Sequence, residues 1–444
     1  MMDTSKEQTP PKLAEKPQEG GEIRSRWEWV EPAVWTERML AALETGVKGG
    51  KWFRLIDKVW AEKNLGRALE KAVENGGSAG IDRQSVREME RHKEKEIGDL
   101  QRELREQKYR PQAVKRVWIE KLGSKEKRPL GVPAVRDRIV QGALRHVIEP
   151  IFEREFAPQS YGFRPGRGCK AALRRVDELL KSGHNWVVDA DLKSYFDTIP
   201  QGRLMERVGQ KIADGRVLAL LETMLKSGVM DAFEGWQPTE SGTPQGAVIS
   251  PLLSNVYLDP LDWLMAHGGY EMVRYADDFV ILCQSESQAQ AALEKVREWV
   301  GQEGLILHPE KTRIVDASQP GGFDFLGYHF ERGMKWPRKK SMDRFKDTVR
   351  QKTRRHQGRS MERICKDLNR TLRGWFEYFK HSKATAFETV DGYIRGRLRS
   401  ILRRRMHRRG KGNGRDHQKW PNAYFTAMGL FSLRQAHRAA CQSL

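Results

Sequence analysis
Residues 272–283 read MVRYADDFVILC, two apolar runs parted by Tyr275-Ala276-Asp277-Asp278. A polar break between two β-prone runs predicts a hairpin. Two carboxylates then stand side by side at its tip. Such neighbours repel unless something positive lies between them, and a divalent cation with a taste for hard oxygen is the usual solution. Such a pattern suits a sheet that offers one acidic tip to a charged ligand, with an ordinary solvated loop as the alternative until its neighbours in the sequence are read.

Two further segments belong with this tip. In WVVDADLKSYFDTI (residues 186–199) a buried strand delivers Asp189 and Asp191 to one face, because strand side chains alternate. Spacing alone does not choose between the two. Between that strand and the hairpin lies GTPQGAVISPLLSNVYL (residues 242–258), a Gly/Pro loop running into an apolar helix. Carboxylates on two separated strands suit a pair of Mg²⁺ ions ~3.5–4 Å apart, which activate a 3′-hydroxyl and stabilise a leaving pyrophosphate.

The 444 residues allow two or three domains. Of the net charge of +21, nineteen lie between positions 338 and 419, where 27 basic residues face 8 acidic ones. A block of that charge suits a polyanion, since each cation on a phosphate releases a counterion. The cysteines (Cys169, Cys283, Cys365, Cys441) show neither paired spacing nor zinc-ligand spacing, which points to a reducing compartment. No apolar run approaches the ~20 residues of a membrane span. The polar first 20 residues read as a disordered leader.

Periodicity predicts one or two aromatic-rich helices after the leader, a helix over 64–73 and a charged helix over 83–105. A strand over 114–119 leads to a polar turn at Ser124-Lys125-Glu126-Lys127. Helices follow over 135–156, 201–229 and 286–303, a short strand pair over 322–328, and helix throughout from 344.

WVVDADLKSYFD, GTPQGAVISPLL, VRYADDFVILC, LHPEKTRIV and FDFLGYHF occur in that order. They resemble the successive palm motifs of reverse transcriptases, and most nearly those of bacterial group II intron-encoded reverse transcriptase/maturases. GSAGIDRQSV, RPLGVPAVRDRIVQGAL, SYGFRPGRGCKAAL and RGWFEYFK extend the resemblance from about residue 25 to the end. It implies an α+β right-hand polymerase with an antiparallel palm sheet and a helical thumb. The expected parts are a leader (1–24), N-terminal extension and fingers (25–185), palm (186–335), thumb/maturase region (336–410) and its tail (411–444).

The resemblance also implies roles. Asp191, Asp277 and Asp278 are the expected metal-binding catalytic acids, with the Leu192 carbonyl as a further ligand of two Mg²⁺ ions, for which Mn²⁺ substitutes. Phe196 is the expected steric gate against a ribose 2′-hydroxyl, selecting dNTPs. Lys121 and Arg128 are the expected triphosphate pair, Gln245 lies beneath the incoming nucleotide, and Lys311 protonates pyrophosphate. Arg164 and Arg167 are expected on the template backbone. Two departures stand out: Ala247 replaces a second Gly, and Glu120 and Leu122 replace prolines at the fingers turn.

In the basic region, Ile394, Leu398, Ile401 and Leu402 form a thin apolar stripe at helical spacing. Arginines, among them Arg397, Arg399, Arg403 and Arg404, cover the other faces. Together with Arg373 they are expected to bind intron RNA and the template–primer duplex. Trp375 and Phe379 read as core. The resemblance implies an endonuclease-lacking form at work in the bacterial cytoplasm near the nucleoid, with intron RNA, an RNA template and a DNA primer as partners. Two rival readings are a splicing cofactor with a dispensable polymerase and a free-standing reverse transcriptase in repair or defence.

Overall fold
A computed structural model describes residues 23–120, 127–408 and 414–442. Residues 1–22 of the leader, Lys121, the Ser124–Glu126 part of the fingers turn and residues 409–413, at the end of the thumb and the start of the tail, lie outside them. The chain divides into two compact units, Met1–Leu179 with Val188–Ile314, and Leu180–Val187 with Val315–Leu444.

The strands among the described residues are β1 (Val114–Glu120), β2 (Lys127–Val132), β3 (Trp186–Asp191), β4 (Val229–Asp231), β5 (Gly235–Gln237), β6 (Glu271–Tyr275), β7 (Asp278–Cys283), β8 (Arg313–Asp316), β9 (Phe323–Phe325), β10 (Tyr328–Glu331) and β11 (Met334–Pro337). They form sheets ordered β2-β1-β4-β5, β6-β7-β3-β8 and β11-β10-β9. The second of these carries the acids. β6 and β7 pair antiparallel with Tyr275 opposite Asp278, so the connection is the two residues Ala276 and Asp277. The expected hairpin is present, as tight as a hairpin allows.

Two of the expected helices are broken. The charged helix is Val86–Arg91 and Lys93–Arg105, parted at His92; its real start is the Ser85 capping box with Glu88. The span over 201–229 is Gln201–Lys211 and Gly215–Leu225, because Asp214 caps the second helix through the amides of Arg216 and Val217. The same carboxylate also accepts from the amides of Leu55 and Ile56, which ties the N-terminal segment to that corner. Val229 then opens β4 instead of ending a helix.

In the second unit, helices Lys339–Lys352, Met361–Phe379 and Ala384–Arg405 bury Phe345, Leu368, Leu372, Phe387, Ile394, Leu398 and Ile401 in one core. The thin stripe lies inside it, and Phe379 is buried in the same unit. Trp375 stacks on Phe345 with ring centroids 4.5 Å apart. Among the described residues no helix is long and apolar enough to cross a membrane.

Burial lifts several carboxyls of the first unit, Asp137 and Asp259 among them. Asp137, which accepts from the Tyr109 hydroxyl and the Gln112 amide, is pushed to about 6; Asp259, held by the Ala157 amide, is pushed to about 7. Both lie above the ~3.9 of an unfolded Asp. Their contribution to stability is therefore present at low pH and is lost as pH rises through the folded values. Asp259→Asn keeps the acceptor and removes the charge. Urea unfolding is expected to show equal stability of the two proteins near pH 4 and a more stable variant above pH 7.

Candidate active site
Along β3 the exposures alternate, with Val188 and Ala190 buried and Asp189 and Asp191 on the accessible face. Both acids meet cations near the start of β8: Asp189 pairs with Arg313 at 3.3 Å, and Asp191 takes the ammonium of Lys311. Beyond β3 the chain stays clamped, since His308 N–H donates to the Asp191 carbonyl (2.7 Å) and Lys193 N–H to Ile306 (2.8 Å). That bridge occupies the carbonyls of Asp191 and Ile306 and leaves the Leu192 carbonyl outside it.

β3 and β7 are neighbours, so the Asp191 strand runs beside the strand that begins at Asp278. Burial pushes the Tyr195 hydroxyl up, and the charge of Asp277 adds to the shift. At the tip Ala276 takes a left-handed φ of +60°, a position that favours glycine. Tyr275 is pushed up to about 12 by burial and by Cys169 beside it.

The Gly/Pro loop closes the remaining side. Thr243 N–H donates to the Phe196 carbonyl at 2.7 Å, so Phe196, itself buried, backs directly onto this loop. Gly131 of β2 donates its N–H to the Gln245 carbonyl at 2.6 Å, and a β-carbon on Gly246 would stand 2.4 Å from the Gly131 oxygen. Only two glycines permit that approach. Asp191, Leu192, Phe196, Gln245, Asp277, Asp278 and Lys311 thus all lie in the first unit. Lys121 and the Arg128 side chain lie outside the described residues.

The donor set fits a magnesium ion. The acids offer hard oxygens, and Asp191 already attracts the Lys311 cation. Among the described residues no three His, Cys, Asp or Glu side chains converge into a ready cage. Mg²⁺ asks for less than that, binding through one or two carboxylates together with substrate phosphates and water.

The expected RNA contacts divide. Arg164 is turned inward: its guanidinium grips Glu153 (2.8 Å) and donates to the carbonyls of Ala157 and Ser160, with 3% of the side chain exposed. Arg399 is likewise buried, donating to the Trp420 carbonyl (3.0 Å) and to Asn422 (2.9 Å). These two placements correct the expectation of free phosphate-facing cations. A forked donor is the side chain best able to satisfy several buried carbonyls, and the fold uses both forks for that. Arg397 binds Thr353, Arg403 pairs with Asp416, and Arg167 donates to the Pro158 carbonyl. Arg373, lying over Phe431, and Arg404 are exposed.

This division can be read from salt dependence. Arg404→Ala is expected to reduce the slope of log affinity for RNA against log salt by about 1. Arg164→Ala should leave that slope alone and lower stability by ~3–5 kcal/mol, as expected when one partner of a buried ion pair is removed. The reverse pattern in filter binding and denaturation would show the assignments to be exchanged.

Comparison with known proteins agrees with this geometry. The family described as reverse transcriptase (RNA-dependent DNA polymerase) matches residues 119–330, and the group II intron maturase-specific domain matches residues 342–420. Protein YkfC of Escherichia coli K12 is 36% identical over 277 residues, covering 53% of this chain and 71% of that protein. The group II intron-encoded protein LtrA of Lactococcus lactis is 40% identical over 171 residues, 38% of this chain but only 28% of LtrA. The nuclear intron maturase 2 of Arabidopsis thaliana is 28% identical over 231 residues, covering 31% of its length. An α+β polymerase of the right-hand class, with a reverse transcriptase domain followed by a maturase domain, the chain belongs to the family of group II intron-encoded reverse transcriptase/maturases.

Proposed function
We propose that this protein extends a DNA primer on an RNA template from dNTPs, and that its basic second unit binds a group II intron RNA and promotes its splicing and mobility. The observation that supports the reading is that Asp191 and Asp278 lie on neighbouring strands of one sheet, with Asp277 in the turn before Asp278 and the Gln245 loop bonded to Phe196, five residues past Asp191. The bacterial cytoplasm, where RNA, dNTPs and DNA meet, is the compartment this reading implies.

Two Mg²⁺ ions held by Asp191, Asp277, Asp278 and the Leu192 carbonyl would lower the pKa of the primer 3′-hydroxyl and screen the triphosphate. The chain's own groups do the rest. Phe196, fixed by its carbonyl against the loop, takes the space a ribose 2′-hydroxyl would need. Gln245, held by β2, supports the nascent base pair. As the 3′-oxygen, its proton released to water, bonds to the α-phosphorus and the bond to the bridging oxygen breaks, Lys311 gives its Nζ proton to the departing pyrophosphate.

Primer extension on an RNA template, with splicing of an intron-containing precursor in parallel, tests the reading; no extension with Mg²⁺ or Mn²⁺ would sink it. Lys311→Arg isolates the proton. Arginine keeps the charge but does not release a proton near neutral pH, so both Lys311→Arg and Lys311→Ala are expected to lower kcat by about 100-fold. Full activity of the arginine protein would reduce Lys311 to a charge.

A further inference from the structure
Arg274 is fully buried, a rare place for a guanidinium, and directly precedes the Tyr-Ala-Asp-Asp tip. Its Nε donates to Asp262 Oδ1 at 2.7 Å and its Nη2 to the other oxygen; Asp262 is itself fully buried on the helix Ser250–His267. Burial alone would pull the guanidinium down, but the Asp262 charge and hydrogen bonds more than offset that, and it stays protonated. The remaining terminal nitrogen, Nη1, reaches two further groups: the Asn255 side-chain oxygen at 3.0 Å and the backbone carbonyl of Ala276 at 2.9 Å.

That last contact lands on the strained residue of the turn. Ala276 holds φ +60° while carrying a β-carbon, so something must hold it there. The other supports converge on the same point. Asn255 Nδ2 donates to the Gly162 carbonyl at 2.8 Å, and Gly162 lies so close under the tip that a β-carbon there would stand 2.3 Å from the Ala276 nitrogen. The Arg274 backbone is gripped as well, its N–H donating to Gln159 at 3.0 Å and its carbonyl accepting from Tyr161 at 2.8 Å. Well-packed apolar residues would serve stability as well as a buried ion pair does. What they could not supply is a donor for the Ala276 carbonyl.

We propose that Arg274 is a positioning residue of the polymerase site. Braced by Asp262 and Asn255, it holds the Ala276 carbonyl and thereby sets where Asp277 and Asp278 stand relative to Asp191. The inference rests on the polymerase reading above and adds a residue that touches neither substrate nor metal.

Arg274→Lys keeps a charge opposite Asp262, but one ammonium cannot serve Asp262, Asn255 and Ala276 in fork geometry. The full-length variant is expected to stay folded with a lowered unfolding midpoint, because buried acceptors lose their donor, and to keep its Kd for an RNA–DNA primer-template, while kcat falls about 100-fold, a loss that a small misplacement can cause. Mn²⁺ binding without nucleic acid, read by electron paramagnetic resonance, should weaken in the same variant. A folded Arg274→Lys protein with wild-type kcat and Mn²⁺ binding overturns the proposal. If that variant does not fold, Asn255→Ala, which leaves the Arg274–Asp262 pair in place, decides by the same two readings: a fall in both supports the brace, wild-type values refute it. Failure of the wild-type protein to extend any primer would instead defeat the polymerase reading, and the Mn²⁺ titration alone would then judge Arg274.

Discussion

Asp277→Ala is expected to lower RNA-templated DNA synthesis by about three orders of magnitude or more while leaving the protein folded and able to bind RNA. The size follows from the chemistry: losing one metal-binding carboxylate forfeits several kcal/mol of charge stabilisation, at ~1.4 kcal/mol per tenfold in rate. The selectivity follows from the turn. Ala276, not Asp277, occupies the left-handed position, so alanine at 277 asks nothing new of the backbone. The basic helices proposed to bind RNA belong to the other compact unit. Extension of a labelled primer, with filter binding of intron RNA as the companion measurement, checks both halves. Asp277→Ala protein that polymerises like the wild type would mean that the metal site lies elsewhere. Splicing by the same variant would show whether the two activities separate.

The second large effect is on stability. Phe387 is fully buried on Ala384–Arg405, with its ring 5.5 Å from Phe376, 6.1 Å from Trp375 and 4.9 Å from His437. Those partners come from two other helices, so no single side chain can move to fill the space. Phe387→Ala is expected to cost ~3–5 kcal/mol, the transfer of a ring to water plus the cavity it leaves. In urea the midpoint should fall with little change in m-value. A cost below about 1 kcal/mol would show that the aromatic cluster is not the keystone of this unit.

The acidic tip could be read from residues 272–283 because local signals agreed there: apolar runs on both sides, polar breakers between, nothing long-range required. The same holds for the face shared by Asp189 and Asp191, which follows from strand alternation alone. The broken helix after Gln201 was also within reach, since Ala213-Asp214-Gly215 carries both a capping acid and a breaker. It stayed hidden because apolar periodicity continues across the break. Inward arginines are different in kind. Residue type declares the charge of Arg164, Arg274 and Arg399 but not its direction, and direction depends on Glu153, Asp262 and Trp420, 11 to 21 positions away. Lys311 pairs with Asp191 across 120 positions, a contact no window of sequence contains.

The meeting of Gly131 with Gly246 brings β2 and the Gln245 loop together backbone to backbone, with the side chains of Val114 and Leu130 packed close around the contact. A single methyl group added at Gly246 would meet the Gly131 carbonyl at 2.4 Å and force the two segments apart. The same device recurs beneath the acidic tip, where Gly162 meets the Ala276 backbone, so two sides of the site are spaced by glycine.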